Sequence, residues 1–516
     1  MTMLRFTRRS FLTRSSLAAC AFQTGNLFAF TTVKPAVVRA PSGTLRGESR
    51  DGVRVFRGVP FAEPPVGALR FLPTEKVTPW KSEREASQFS AAAMQSGLTE
   101  VPHSEDCLYL NIWAPEGRGP YPIFVWIHGG GFTNGHAFEP LFDGTEFARE
   151  GIISISVGYR LGVFGFLDYE PLLGQQYAGT ANNALRDLMT ALSWIQENIS
   201  AFGGDSARVT IGGESAGAKL TDTLMGIPSA RPLFHQMISE SGGAERIWSR
   251  AASAHISKSF GDIWQKQSGN AIAGLKTADG ATLIEVQQLF TETWPQHYPL
   301  RPEIDGALIP RLPVETIVSG STRGKRLLIG TNREESAAFI GPHPAKDPNA
   351  SQLGNMSIAE FDAVYQKYKD IYPGLSAEQR RIRALTAEEY WVPSMRVAES
   401  HVKGGGNAYV YELEFEETSG RLEGNAYHGL DVGMVWNHPH EQVVNAASEV
   451  ALGKQIHTAW SAFIRGEIPA APGLPTWPLY NSQDRSTMIF GKNASAKSRV
   501  AHAPQAAELG LWNETL

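Results

Sequence analysis

The chain has 516 residues, enough for two or three domains or for one large α/β unit with insertions. Hydrophobic residues make up 42%, with 12 Trp, 25 Phe and 14 Tyr, so the chain reads as globular with a sizeable core. Its formal net charge is −5 and no block of Lys and Arg follows the N-terminus, which removes the footprint a nucleic-acid partner would need.

The first 30 residues stand apart. Thr7-Arg8-Arg9-Ser10-Phe11-Leu12 precedes a small and apolar stretch, Ser15 to Phe30, that lacks any acidic residue. The pattern resembles a twin-arginine export signal of bacteria, and it is too short and too weakly apolar for a spanning helix. Residues 1–30 are therefore expected to be a cleaved signal and 31–516 a single domain, exported to the periplasm or beyond it. Loss of Arg5, Arg8, Arg9 and Arg14, with no carboxylate among those residues, would move the charge from −5 to −9. Leu17-Ala18-Ala19-Cys20 also reads as a lipid-acceptor site, although Arg14 leaves little apolar run before it. Cys107 would then stand alone, so no internal disulfide is expected. No CxxC or His/Cys cluster suggests a metal, and no cofactor is implied.

In chain order, Thr44 to Gly47 and Val53 to Phe56 predict a small antiparallel hairpin around Asp51-Gly52. Leu108 to Ala114 and Ile123 to Ile127 are apolar runs, the second continuous enough for a strand buried on both faces. Ile152 to Val157 predicts another strand, and Leu185, Leu188, Leu192, Trp194 and Ile195 recur at helical spacing between Asn182 and Ile199. Val209-Thr210-Ile211 is a strand, Lys219 to Met225 a helix and His235 to Ser239 a strand. This alternation predicts a mostly parallel sheet flanked by helices, an α/β fold. Ala251 to Ile317 turns helical and irregular, and looks like an insertion covering the sheet's edge. Further strands are expected at Arg326 to Gly330, Ala408 to Tyr411 and Thr487 to Phe490. Helices are expected at Phe361 to Tyr368, Glu378 to Val402 and Val443 to Phe463. No fixed-period repeat and no long linker divides the chain.

Chemistry concentrates at Gly213-Glu214-Ser215-Ala216-Gly217, directly after the strand ending at Ile211. A serine inside Gly-x-Ser-x-Gly after a strand is a nucleophile elbow, whose small flanking residues let strand and helix approach closely. Serine is a weak nucleophile, so it needs a base, a carboxylate to orient that base, and donors for the oxyanion. Donors are offered by the backbone N–H groups of Gly130 and Gly131, after the strand ending at His128, and by that of Ala216. The acid is one of two adjacent carboxylates, Glu334 and Glu335, in the loop after the Arg326 strand. The base is His428, flanked by Gly429, after the Ala408 strand. The order serine, acid, histidine is that of α/β-hydrolases.

At this point the chain resembles the type-B carboxylesterases, the family of the para-nitrobenzyl esterases and the relatives of the cholinesterases. The resemblance covers nearly everything from residue 36 onward. It rests on Phe56-Arg57-Gly58-Val59-Pro60-Phe61-Ala62-Glu63-Pro64-Pro65-Val66-Gly67, Ser104-Glu105-Asp106-Cys107-Leu108-Tyr109-Leu110-Asn111, Tyr159-Arg160-Leu161-Gly162 and Phe202-Gly203-Gly204-Asp205. It implies an α/β-hydrolase fold and a catalytic triad of Ser215, Glu335 and His428, with Gly130, Gly131 and Ala216 as the oxyanion hole. It also implies that Ser241 supports the triad from behind. The expected activity is hydrolysis of a small-molecule carboxylic ester through an acyl-enzyme. Amide, carbamate or bulky-ester hydrolysis by the same triad, and a non-catalytic binding or adhesion module, are the alternatives. Pocket walls between about Ala251 and Pro344 would choose the substrate. The oligomeric state is left open. Three departures stand out: Ala replaces the cysteine that many relatives carry between Phe89 and Gln95, which would leave that loop untied; Gly158 stands where Asn is usual; and Ser336 stands where Gly often follows the acid.

Overall fold

The computed structural model describes residues 33–97, 100–341, 352–438, 447–491 and 497–513; residues 1–30, expected from the sequence to be a signal, and Cys20 among them, lie outside these. One sheet runs through the molecule. Its principal strands are β1 (Lys34–Ala40), β2 (Gly43–Arg50), β3 (Val53–Pro60), β4 (Tyr109–Pro115), β5 (Tyr121–Ile127), β6 (Ile153–Val157), β7 (Gly204–Glu214), β8 (Gln236–Glu240), β9 (Arg326–Asn332), β10 (Asn407–Leu413), β11 (Thr487–Phe490) and β12 (Arg499–Ala501). In space they are ordered β1-β2-β3-β4-β6-β5-β7-β8-β9-β10-β11-β12. Every pairing from β6 to β11 is parallel and the other pairings along this order are antiparallel, while the two-residue strand Arg84–Glu85 adds to β2 in parallel.

Strands β5 and β9 carry continuous apolar runs because both faces are covered. On β5, Ile123, Val125 and Ile127 enter one core, while Phe124 and Trp126 enter the other. Leu327 and Ile329 of β9 likewise face the first core and Leu328 the second. Helix α1 (Asn183–Asn198) covers the first face with Leu185, Leu188, Leu192 and Ile195, joined by Leu220 and Leu224 of α2 (Ala216–Met225). The helix Ala447–Ile464 covers the second with Ile456, Trp460 and Phe463. The expected helix began at Val443, and residues 443–446 lie outside the described residues.

The expected antiparallel hairpin of β2 and β3 forms around Asp51-Gly52, and because β3 also pairs with β4 it extends the main sheet. The unforeseen strand β1 lies outside it, burying Ala36 and Val38 between exposed neighbours, a pattern too short and too charged to stand out. The insertion carries α3 (Arg250–Ser268) and α4 (Gly280–Thr293), which pack on the short helices Glu170–Leu173 and Gly162–Phe166 rather than along a sheet edge. Trp248–Ser249, just before it, pairs with Glu303–Ile304 inside it.

The stretch Glu378 to Val402 is helical but broken. Helix α5 (Ala377–Thr386) passes into a π-helical turn, Ala387–Trp391, before α6 (Val392–Lys403). Pro393 has no N–H to return to the Glu389 carbonyl, and the Lys219 ammonium donates to that oxygen instead, at 3.0 Å.

Candidate active site

Beyond the carboxyl ends of β5, β7, β8 and β9 the chain turns sharply, and the expected functional residues gather there, as open α/β sheets favour. Ser215 follows β7 as the residue before α2. Its backbone has φ +56 and ψ −123, a sparsely populated conformation for a residue with a side chain. The surroundings hold it there: the Ser215 N–H donates to the Glu240 carbonyl at 2.9 Å, and the Ser215 carbonyl accepts from Lys219 N–H at 2.9 Å. Glycine is required at both ends of the elbow. A Cβ on Gly213 would lie 2.3 Å from the Ile127 carbonyl oxygen, and one on Gly217 only 1.9 Å from it.

The loop Gly129-Gly130-Gly131 leaves β5 and passes over the serine; a Cβ at Gly129 would come within 3.2 Å of the Ser215 Cβ. Gly130 and Gly131 have φ +104 and +62, so the chain curls back, with Thr133 and Asn134 N–H both donating to the Gly130 carbonyl. Among the described residues no acceptor takes the N–H of Gly130 or Gly131. Ala216 opens α2, so its N–H has no partner within the helix. The loop is anchored from outside: Gly135 N–H donates to Gln95 Oε1 at 2.9 Å and Gln95 Nε2 donates to the Gly135 carbonyl at 2.9 Å. Gln95 and the strand pair Ala92–Ala93 with His103–Ser104 thus tie the segment that the missing cysteine was expected to leave untied. Cys107 is a buried thiol with its pKa pushed up by desolvation.

Of the two adjacent carboxylates, Glu335 faces the histidine and Glu334 faces away. Glu335 Oε2 lies 2.6 Å from His428 Nδ1. Its other oxygen, Oε1, accepts from Ser241 Oγ at 2.5 Å and from Asn332 N–H at 2.7 Å, and the side chain is fully buried. Ser241 thus meets the Glu335 oxygen that His428 does not. Ser336, the residue that replaces glycine, donates its N–H to Thr386 Oγ1 at 3.1 Å. Gly158 is explained as well: a Cβ there would lie 2.8 Å from the Cys107 carbonyl oxygen.

The second ring nitrogen of His428 has a partner that sequence reasoning did not single out. Nε2 lies 3.0 Å from Oε1 of Glu214, the residue before the serine. Burial by itself would lower the histidine pKa, but the charges and hydrogen bonds of Glu214 and Glu335 outweigh it and hold the ring well above 6.5. The signal for Glu214 was its place inside the elbow motif. Tyr390 and Phe339 flank the imidazole at 4.6 and 5.2 Å between ring centroids. Tyr390 reaches it from the π-helical turn, and no sequence pattern marks that.

Behind the site lie two further buried carboxylates. Asp431 accepts from Asn332 Nδ2 at 3.0 Å and from the Tyr411 hydroxyl at 2.8 Å, and Glu240 accepts from Trp460 Nε1 at 2.8 Å. Desolvation, with repulsion from the neighbouring carboxylates, raises Asp431 to about 7 and Glu240 well above its usual range. Lys219, Arg246 and Glu389 form a buried ion cluster between α2 and the π-helical turn. Among the described residues no group of three His, Cys, Asp or Glu could hold a metal ion, and no helix is long and apolar enough to cross a membrane.

Comparison with known proteins extends over nearly the whole chain. The para-nitrobenzyl esterase of Bacillus subtilis is 31% identical over 478 residues, covering 88% of this chain and 94% of that protein. The liver carboxylesterase of Sus scrofa is 29% identical over 98% of this chain and 96% of its own. The crystal structure of a carboxylesterase from Geobacillus stearothermophilus superposes with a TM-score of 0.79 at 30% identity, over 92% of this chain and 99% of that one. The family model described as the carboxylesterase family matches residues 34–512, so the chain belongs to the carboxylesterase family and is a hydrolase of carboxylic esters with the α/β-hydrolase fold.

Proposed function

We propose that Ser215 is the nucleophile of this hydrolase, His428 its general base and acid, Glu335 the residue that orients the histidine, and Gly130, Gly131 and Ala216 the oxyanion hole. The observation that carries the assignment is the 2.6 Å contact between Glu335 and His428 Nδ1, which fixes the ring with Nε2 directed toward the Glu214–Ser215 end of the elbow. Ser215 Oγ attacks the ester carbonyl while His428 Nε2 takes its proton. The three free N–H groups receive the negative charge that develops on the carbonyl oxygen. Collapse of the tetrahedral intermediate breaks the carbonyl–alkoxy bond, and the imidazolium returns the proton to the departing alcohol. Water, deprotonated by His428, then releases the acid and frees Ser215. Glu214 and Glu335 both stabilise the imidazolium that forms in each half-reaction.

The substrates are small carboxylic esters, with aryl and short acyl esters the first to examine; a hydrolysis panel that varies acyl length and alcohol size separately probes both halves of the pocket. Ser215→Ala is expected to fold normally and lose turnover to background, and to lose labelling by a fluorophosphonate that marks the parent stoichiometrically. Undiminished hydrolysis by that variant would sink the assignment.

We also propose that residues 1–30 direct export and that the rest forms one catalytic domain. In support, both the family match and the sheet begin at residue 34. Cell fractionation with Arg8 and Arg9 both changed to Lys is expected to retain the protein in the cytoplasm, and unchanged delivery to the periplasm overturns the export reading.

A further inference from the structure

The second carboxylate of the pair, Glu334, is held by contacts of its own. Its N–H donates to the Ala426 carbonyl at 2.9 Å, and its Oε2 accepts from the Ala426 N–H at 3.0 Å. Both polar groups of one residue in the histidine loop are thereby tied to one residue of the acid loop. The remaining oxygen, Oε1, accepts from Arg333 Nε, and Arg333 Nη2 donates to Glu416 at 2.8 Å, which aims the carboxylate.

Neighbouring contacts continue the pattern. Asn332 Nδ2 donates to the Tyr427 carbonyl at 2.8 Å, and the His428 N–H donates to the Glu335 carbonyl at 3.3 Å. Asn332, Glu334 and Glu335 thus grip Tyr427, Ala426 and His428, three consecutive residues of a segment that belongs to no helix or strand. Arg333 and Glu334 also line a cleft of about 450 Å³ with Glu416, Gly424 and Asn425, so this clamp borders solvent on its outer side.

We propose that Glu334 is a positioning residue for catalysis: its carboxylate fixes the histidine loop at Ala426, and so sets the approach of His428 to Glu335 and to the elbow. This rests on the triad proposed above. Glu334→Ala removes the acceptor for the Ala426 N–H, whereas Glu334→Gln keeps an oxygen toward that N–H and gives up the charge and the acceptor that faces Arg333 Nε.

The test measures kcat and KM on one short aryl ester, with the active-site concentration set by fluorophosphonate titration. Glu334→Ala is expected to lower kcat by about tenfold to a hundredfold, the usual cost of misplacing a catalytic group, with KM within about twofold of the parent and full titration of Ser215. Glu334→Gln is expected to restore most of kcat. If Glu334→Ala does not fold, Glu334→Asp, which shortens the reach by one methylene, is expected to show the same loss in kcat alone. Parent-like kcat in the folded Ala or Asp variant overturns the proposal, as does equal loss in the Ala and Gln variants, which would assign the effect to the charge facing Arg333. Failure of the triad itself is read separately, as activity retained by Ser215→Ala.

Discussion

Ser215 stands directly on the end of a buried strand, whereas His428 lies on an irregular segment beyond Leu413 and is placed by hydrogen bonds from the loop after β9. On the serine side the geometry is made by main chain: a strained backbone at residue 215, and glycines that let α2 touch the end of β5. On the histidine side it rests largely on the side chains of Asn332, Glu334 and Glu335, which reach across to 426–428 beside two main-chain bonds, Glu334 N–H to Ala426 and His428 N–H to Glu335. Main-chain geometry tolerates no added atom where two backbones meet, while a network of side-chain bonds can lose one member and keep the others. The first arrangement gives an all-or-none site and the second an adjustable one.

That contrast can be broken from either end. The largest effect is expected for Gly217→Ala, whose Cβ would overlap the Ile127 carbonyl oxygen at 1.9 Å. Urea unfolding should show a stability loss of about 3 kcal/mol or more, the range of severe backbone and packing conflicts. A variant with parent-like stability and activity would mean that strand and helix can separate freely. Gly130→Ala places a Cβ 2.1 Å from the Asn134 carbonyl oxygen and disturbs a proposed oxyanion donor. Its kcat should fall by about a hundredfold, the scale of one lost donor; a change in KM alone would remove Gly130 from the oxyanion hole.

The histidine side should respond more gently. Ser241→Ala deletes one of the two donors to Glu335 Oε1 and leaves the Asn332 N–H in place. About a tenfold loss of kcat is expected, in keeping with ~1.5 kcal/mol for a hydrogen bond to a charged group, and a loss as large as that of Ser215→Ala would contradict the idea of a tolerant network. The smallest change in rate at the optimum is expected for Glu214→Gln. His428 must be neutral to act as base, so activity rises with pH through its pKa, which Glu214 helps to raise. Removing that charge lowers the pKa, and the acid limb of kcat/KM should move to lower pH. An unmoved limb would show that the contact at Nε2 does not govern the titration.

The same contrast explains what could be read early. Strands β5 and β7 to β9 stand out because a strand buried on both faces is a run of apolar residues, and the elbow and the loop at Gly130 and Gly131 follow those strands at once. Local chemistry is contiguous there, so sequence order and spatial order coincide. Strand β1 and the π-helical turn were missed for opposite reasons. The strand buries only two apolar side chains, and in the turn the Glu389 carbonyl, which Pro393 cannot serve, takes its partner Lys219 from a distant helix.

By itself, then, the sequence determined the α/β architecture, the turn at Ser215 and the glycine loop after β5, and a short list of candidates for an acid and a base, because backbone constraints and apolar runs leave their mark on neighbouring residues. Only the tertiary structure separates the two adjacent carboxylates by their partners. It turned Glu335 toward His428 and Glu334 toward Ala426, set Glu214 against the other ring nitrogen, and laid Tyr390 on the imidazole. Each of these joins residues from separate elements, and which oxygen meets which proton is set by how the loops pack, a property no single stretch of chain contains.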